Sequence, residues 1–211
     1  MTDRRKAPSK AETADLEPFP GLTLERIIVP ESAAQFAEAA DDLIRSRFVG
    51  FDTESRPTFN KGEVSQGPHV VQLATLEKAY IFQLHHKGSC DVVIQLLQSS
   101  AMIKVGFGLK SDRGEIQRKL GIVPGAVLDL DAVFQQQGYH SIGVRAAVAL
   151  VFNQKFRKSK HMSTSNWGAR ILSPNQLLYA ANDAYAALRV LHALDKPESE
   201  LPITDLSPDA P

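Results

Sequence analysis

The 211-residue sequence predicts a single α/β domain, and two successive patterns carry this prediction. Three strand-like runs at 48–53, 69–75 and 79–84 are rich in apolar and β-branched residues, which predicts an antiparallel meander. From Asp91 onward, helix-like segments alternate with strands at 102–106 and 127–130, which predicts a βαβα arrangement with parallel strands. The chain is 43% hydrophobic and long enough to bury one complete core.

Two of the predicted helices carry their own start signals. In residues 31–45, apolar residues recur at helical spacing, and Ser32 with Gln35 three positions later forms a capping-box pattern. Ser173, followed by Pro174 and Gln176, predicts the start of a long helix that ends near Leu194. Further helices are predicted at 91–98, 110–120 and 143–152.

The two ends of the chain differ in composition from the rest. Residues 1–21 are polar and residues 195–211 are acidic and rich in proline, so both are predicted to be disordered tails of a domain at 22–194. No apolar run approaches the roughly 20 residues that span a bilayer, and the first residues lack the apolar core of a secretory signal. A lone cysteine, Cys90, cannot form an internal disulfide. We therefore expect a cytoplasmic protein without a membrane partner.

The formal net charge of zero conceals an uneven distribution of charge. Residues 21–194 carry 19 basic and 15 acidic groups. If four of these acids bind metal, the remaining surface has 19 basic against 11 acidic groups, which favours contact with phosphate. Scattered, solvated charge is the alternative explanation.

Two carboxylates lie at the end of the first long strand. Side chains alternate along a strand, so Asp52 and Glu54 project from the same face about 7 Å apart. Gly50 leaves that face open. Such a pair is common at strand ends and indicates a site only when other acids join it.

A third acid, Asp112, lies on the inward stripe of the helix at 110–120, which also carries Ile116. A capping or helix-dipole role is the alternative for Asp112. The last helix adds Tyr179 and Asp183, four residues apart and therefore on one face, among residues that are apolar nearly all round. An unpaired charge there would cost on the order of several kcal/mol, so Asp183 requires a basic partner or a metal ion.

These four acids offer only carboxylate oxygens, and no His or Cys has the spacing of zinc ligands. Such a donor set suits two Mg²⁺ or Mn²⁺ ions, which at a separation of about 3.5–4 Å support in-line displacement at a phosphate. We assign Asp52 to both ions, Glu54 and Asp183 to the ion that carries the nucleophilic water, and Asp112 to the other ion. Tyr179 is predicted to orient the water.

Three segments, FDTES at 51–55, GFGLKSDRGEI at 106–116 and LLYAANDAYAAL at 177–188, resemble the three motifs of the DEDD superfamily of 3′→5′ exonucleases. Tyr179 fits the tyrosine (DEDDy) subclass, because the histidine subclass places its His at the position of Leu178. The resemblance extends over 27–194 when the segments VVQLAT, LDLDAVF and KSKHMSTSNWG are included. With these segments, the sequence resembles the Werner-syndrome exonuclease domain and ribonuclease D.

The resemblance implies a ribonuclease-H-like fold with a mixed five-stranded sheet, in which three antiparallel strands precede two parallel ones, flanked by helices. It also implies two catalytic metal ions and release of nucleoside monophosphates from a 3′ end. Asp52, Glu54, Asp112, Tyr179 and Asp183 match the family motifs position by position.

Basic residues near the motifs are candidates for binding nucleic acid. Segment 155–160 places four bases around Phe156 and is predicted to grip a strand backbone, with a solvated basic loop as the alternative. Trp167 is predicted to be a core anchor. The candidate nucleic-acid-binding residues are Lys110, Arg113, Arg157, Lys158 and Lys160.

The predicted substrate is a single-stranded or frayed 3′ end, of DNA rather than RNA. The alternatives are RNA trimming of the ribonuclease D kind, degradation of short oligonucleotides, and a nucleic-acid-binding domain without activity. The five intact motif residues argue against the last of these.

Overall fold

The computed structural model describes residues 5–58 and 62–205. Within them lie six strands, β1 to β6, at Ile27–Ile28, Phe48–Glu54, Val70–Ala74, Ala79–Gln83, Ile103–Gly106 and Val127–Asp129. Seven α-helices, α1 to α7, span Ala33–Ile44, Lys87–Gln98, Lys110–Leu120, Leu130–Gln136, Val144–Phe152, Lys160–Ser163 and Pro174–Leu194. In this part of the chain, no helix has both the length and the apolar character that crossing a membrane requires.

The strands form one mixed sheet in the order β1-β4-β3-β2-β5-β6. Strand β3 runs antiparallel to β2 and β4, whereas β5 pairs parallel to β2 and β6 parallel to β5. This confirms the predicted meander followed by parallel strands. The predicted count of five strands is corrected to six, because Ile27 and Ile28 pair parallel with β4 at the edge. Two residues are too few to show the alternation by which strands are recognised in a sequence.

Helices cover both faces of the sheet. Helices α1, α2 and α3 pack on one face, in a core that includes Phe51, Leu73, Phe82 and Ile116. Helix α7 packs on the other face, where its contacts with β2 exceed those of any other helix with a strand. Helices α4 and α5 extend this second layer beside β5 and β6. Because twelve of the 21 residues of α7 are buried, α7 is a central helix rather than an amphipathic surface helix.

The predicted helix starts are confirmed. Ser32 and Gln35 form a reciprocal capping box at α1, and Ser173 and Gln176 form another at α7, where Pro174 is the first helical residue. These side chains satisfy backbone N–H groups that a helix start otherwise leaves unpaired. The first turn of α7 is thereby held at a defined position, which fixes the register of the residues that follow.

Gly50 is the point of closest approach between β2 and α7. A Cβ atom at this position would overlap the carbonyl oxygen of Ala184 in the helix backbone. Only a residue without a side chain therefore allows α7 to lie this close to the strand. This contact brings the two elements that carry Asp52 and Asp183 against each other.

The predicted disorder of residues 1–21 is wrong for the described part of that segment. Pro18 forms a backbone bridge with Lys155, and the ring of Phe19 packs 5.4 Å from the ring of Phe152. The composition of the segment is polar, but an aromatic ring and backbone hydrogen bonds dock it.

The predicted disorder of residues 195–211 is likewise wrong as far as Asp205. Leu201 is buried against the α5 and α7 core, and Thr204 exchanges two backbone hydrogen bonds of 2.9 Å with Val127. The packed unit therefore extends beyond the predicted boundaries at 22 and 194. Residues 1–4 and 206–211 lie outside the described residues.

We expect Gly50→Ala to destabilise the fold by about 1–3 kcal/mol, because the added methyl group forces α7 away from β2. Urea unfolding of both proteins measures the change. Gly114→Ala in α3 is the matched control, since its Cβ would meet no atom within 4 Å and alanine is the better helix former. Equal stability of the Gly50 variant and the native protein would contradict the close-packing account.

Candidate active site

Three carboxylates meet where β2 passes under α7. Asp52 and Glu54 extend from the face of β2 that α7 covers, and Asp183 extends from α7 toward them. One oxygen from each lies within 4.8 Å of the others. Glu54 is 8% exposed and Asp183 4% exposed, so this negative charge is concentrated in a buried space. The structure thus brings together three of the four predicted metal ligands.

Asp112 approaches the group from the opposite layer. It lies in the first turn of α3 and accepts a hydrogen bond from the hydroxyl of Thr53, which projects from the other face of β2. The start of α3 is held by Asp129, whose carboxylate accepts the N–H groups of Gly108 and Leu109 at 3.0 Å each. Asp112 is outside the group of three but close enough to raise the pKa of Asp52.

Burial raises the pKa of every acid in this site, and repulsion between the acids adds to this for Asp52 and Glu54. Desolvation is the largest cause for Asp52, and the charges of Asp183 and Asp112 add to it. Desolvation and the charges of Asp52 and Asp183 raise the pKa of Glu54 to about 9. Burial also raises the pKa of Asp112 and of Asp183. The cluster therefore favours protons or bound cations over bare negative charge.

Lys158 is the basic partner of Asp183. Its Nζ atom lies 2.8 Å from Oδ2 of Asp183 and 5.6 Å from the ring centre of Tyr179. Burial lowers the pKa of Lys158, but the charges of Asp183 and Asp52 outweigh this and leave the pKa raised. Lys158 thus lies in the site itself, whereas the sequence predicts that Lys158 contacts the nucleic-acid backbone.

Tyr179 lies one helical turn before Asp183 and is buried beside it. Desolvation raises the pKa of its hydroxyl, and the charge of Asp183 raises it further. The ring packs 5.9 Å from that of Trp167, which is 1% exposed, so the prediction of Trp167 as a core anchor is confirmed. Tyr179 therefore remains protonated at neutral pH and is suited to donating a hydrogen bond.

The other predicted basic residues are divided between two places. Arg157 is exposed on the loop after α5, and Lys160 is exposed at the start of α6. Lys110 and Arg113 line a separate cavity on the far side of α3, which the structure does not join to the three carboxylates. Phe156 is buried against Phe19 and anchors the loop, so it offers no face to a base. The predicted nucleic-acid contacts of these residues stay predictions.

Two polar features near the site were not predicted. Glu115 of α3 accepts a hydrogen bond from the hydroxyl of Ser55, which follows β2. Gln72 is fully buried directly opposite Asp52 in the β2–β3 ladder, and its amide has no hydrogen-bond partner among the described residues. A polar residue within the apolar run VVQLAT was the available sequence signal for Gln72.

The donor set fits divalent metal ions. Asp52, Glu54 and Asp183 can bind one divalent cation together, because the single ammonium group of Lys158 does not balance three carboxylates. Asp112 is close to Asp52 and can bind a second cation. All the donors are oxygen atoms, which suits hard cations. The fold and this site together define a metal-dependent phosphodiester hydrolase of the carboxylate type.

A family model described as 3′-5′ exonuclease matches residues 27–197, and the chain belongs to this family. A 3′-5′ exonuclease of Arabidopsis thaliana is 28% identical over 197 residues, covering 86% of this chain and 68% of its own. The mouse bifunctional 3′-5′ exonuclease/ATP-dependent helicase WRN is 30% identical over 174 residues, covering 74% of this chain. This chain spans only 12% of the length of the mouse protein.

Solved structures share the fold. Trypanosoma brucei RNase D, in complex with RNA U12, superposes with a TM-score of 0.70 at 21% identity and covers 83% of this chain and 64% of its own. The predicted resemblance to the DEDD exonucleases, including the Werner-syndrome domain and ribonuclease D, is thereby confirmed, as is the ribonuclease-H-like fold.

We expect metal binding to release protons and to strengthen as the pH rises. Because the pKa of Glu54 is about 9, this carboxyl carries a proton at neutral pH, and a metal ion must displace it. Calorimetric titration of Mn²⁺ at about pH 6 and pH 8, in two buffers with different ionisation enthalpies, measures both the affinity and the protons released. Glu54→Gln is the matched variant, and it should release fewer protons. An affinity that does not change with pH would contradict the raised pKa.

Proposed function

We propose that this chain hydrolyses single-stranded nucleic acid from the 3′ end, one nucleotide at a time, with Mg²⁺ or Mn²⁺ as cofactor. The single observation that carries the proposal is the group of buried carboxylates from Asp52, Glu54 and Asp183, with Asp112 beside it. Family membership supplies the 3′→5′ direction.

Each side chain of the proposed site has a different role. Asp52 would hold both ions, and Glu54 and Asp183 would hold the ion that carries the attacking water. A pair of divalent ions supplies acidification of water and charge neutralisation at the scissile phosphate. The protonated Tyr179 hydroxyl orients the attacking water by hydrogen bonding. Lys158 would supply a positive charge beside the phosphate when Asp183 holds a metal ion.

The substrate sugar and the location of the protein belong to the same proposal. The expectation of DNA rather than RNA stays a prediction, and the RNA-bound RNase D structure favours RNA trimming as the second candidate function. A cytoplasmic location is supported by the lone Cys90, which leaves the chain without a means of forming an internal disulfide.

With Mn²⁺ or Mg²⁺, we expect the purified protein to shorten a 5′-labelled oligonucleotide stepwise and EDTA to stop the reaction. Asp52→Asn should reduce the rate by about 100-fold or more, because the neutral amide cannot hold both ions. Asp41→Asn, an exposed acid on α1, is the matched control and should cut at the native rate. Parallel digestion of DNA and RNA of one sequence tests the sugar preference. Native activity in Asp52→Asn would refute the site assignment.

We expect Tyr179→Phe to slow turnover while leaving metal affinity nearly unchanged, because the hydroxyl contacts water rather than metal in the proposed site. Single-turnover rates and Mn²⁺ titration separate the two effects. The ring contact with Trp167 is retained in phenylalanine, so the fold is preserved. A large loss of metal affinity would instead assign the hydroxyl to metal binding.

A further inference from the structure

Residues 5–21, here called the N-terminal strap, cross the surface beside the active site and are held at both ends. At one end, the Arg5 N–H donates to the carbonyl of Gly138 at 3.0 Å. At the other end, the Phe19 N–H donates to the carbonyl of Lys155 at 3.0 Å, and the Lys155 N–H donates to that of Glu17 at 2.8 Å. The family match begins at residue 27, so the strap lies outside it.

The strap forms a wall of two neighbouring cavities. The catalytic cleft, of about 470 Å³, is lined by Asp52 and Asp183 on one side and by Pro8 and Lys10 of the strap on the other. The basic cavity, of about 410 Å³, lies between residues 10–14 of the strap and the loop 155–159. Lys10, Arg145 and Lys158 line both cavities, so the two are adjacent along the strap.

The charges change sign along this path. The catalytic cleft holds the buried carboxylates, whereas the residues that line the basic cavity include five cations and no acid. Three of the five are engaged internally: Lys158 pairs with Asp183, the Lys155 ammonium donates to the carbonyl of Ala14, and one guanidinium nitrogen of Arg145 donates to the carbonyl of Lys158 at 3.3 Å. The side chain of Lys10 is exposed at the junction of the two cavities. The five cations are Lys10, Arg145, Lys155, Arg157 and Lys158.

We propose that the strap and the basic cavity form a channel for a single strand, in which Lys10 and Arg145 bind phosphates on the 5′ side of the scissile bond. Backbone phosphates favour a row of cations, and such contacts make binding depend on salt. Each cavity has a volume in the range of about 300–1,000 Å³ that is usual for a small ligand, which is sufficient for a nucleotide.

The proposal rests on the proposed exonuclease function and names its substrate class. Pro8 and Lys10 of the strap line the cleft together with Asp52 and Asp183, so a second strand has no place beside the first. Lys10 is therefore a specificity-determining residue that lies outside the family match. Single-stranded 3′ ends are substrates, and blunt duplex ends are excluded by the strap.

The first test measures binding apart from cleavage. A fluorescent single-stranded DNA 12-mer is titrated with Lys10→Glu, and with the control Lys87→Glu at an exposed position on α2, both in the Asp52→Asn background. Lys10→Glu should weaken binding at least tenfold, and Lys10→Ala should reduce the slope of log affinity against log salt by about 0.7. Lys87→Glu should bind within twofold of the parent. Equal affinity of the Lys10 and Lys87 variants would overturn the channel.

The second test removes residues 1–16 from an otherwise complete chain, which keeps the Phe19 anchor. The variant should bind the single strand less tightly and gain digestion of a blunt duplex. Faster digestion of the single strand would overturn the proposal, because the strap would then be a cover over the site. If the parent binds with a Lys10-dependent salt slope but the native protein cuts no strand, the channel stands and the exonuclease proposal fails. Thermal melting checks the fold of each variant.

Discussion

The contact between α7 and β2 at Gly50 is the constraint on which the rest of the structure depends. It is made by backbone atoms on both sides, so no rearrangement of side chains can replace it. It sets Asp183 against Asp52 and Glu54 and closes three carboxylates between a sheet and an apolar helix. Ionised groups in such a space lose hydration and repel one another. Helix α7, which is capped at its start, keeps the carboxylates from moving apart, a movement that would otherwise relieve their repulsion.

The positions of the site residues on β2 and α7 could be predicted from the sequence, because they depend on the periodicity of a strand and of a helix. Asp52 and Glu54 share a face through the two-residue repeat of a strand, and Tyr179 and Asp183 share one through the turn of a helix. The pairing of Lys158 with Asp183 could not be read, since it depends on the path of an irregular loop. The docking of the strap could not be predicted from the sequence for a related reason. Its composition is polar, but the docking of Phe19 depends on a partner far along the chain.

Lys158 gives the fold an internal counter-ion where charge is most concentrated. The ion pair links the loop that carries Lys158 to the helix that carries Asp183. Removing one partner would destabilise the fold, because the other charge would be left unpaired. The same loop is held by the strap through Lys155. The chemistry of the carboxylates and the positioning of the strap are therefore connected through five consecutive residues, 155–159. This arrangement allows substrate recognition to change at the strap without a change in the acids.

The order of the acids along the chain has a consequence for the living cell. Asp52, Glu54 and Asp112 leave the ribosome well before α7 and Asp183 do, and a growing chain folds from its N-terminal part onward. A half-made chain carries an incomplete set of ligands and no tyrosine beside them. The group of carboxylates is therefore complete only after the last helix has been translated.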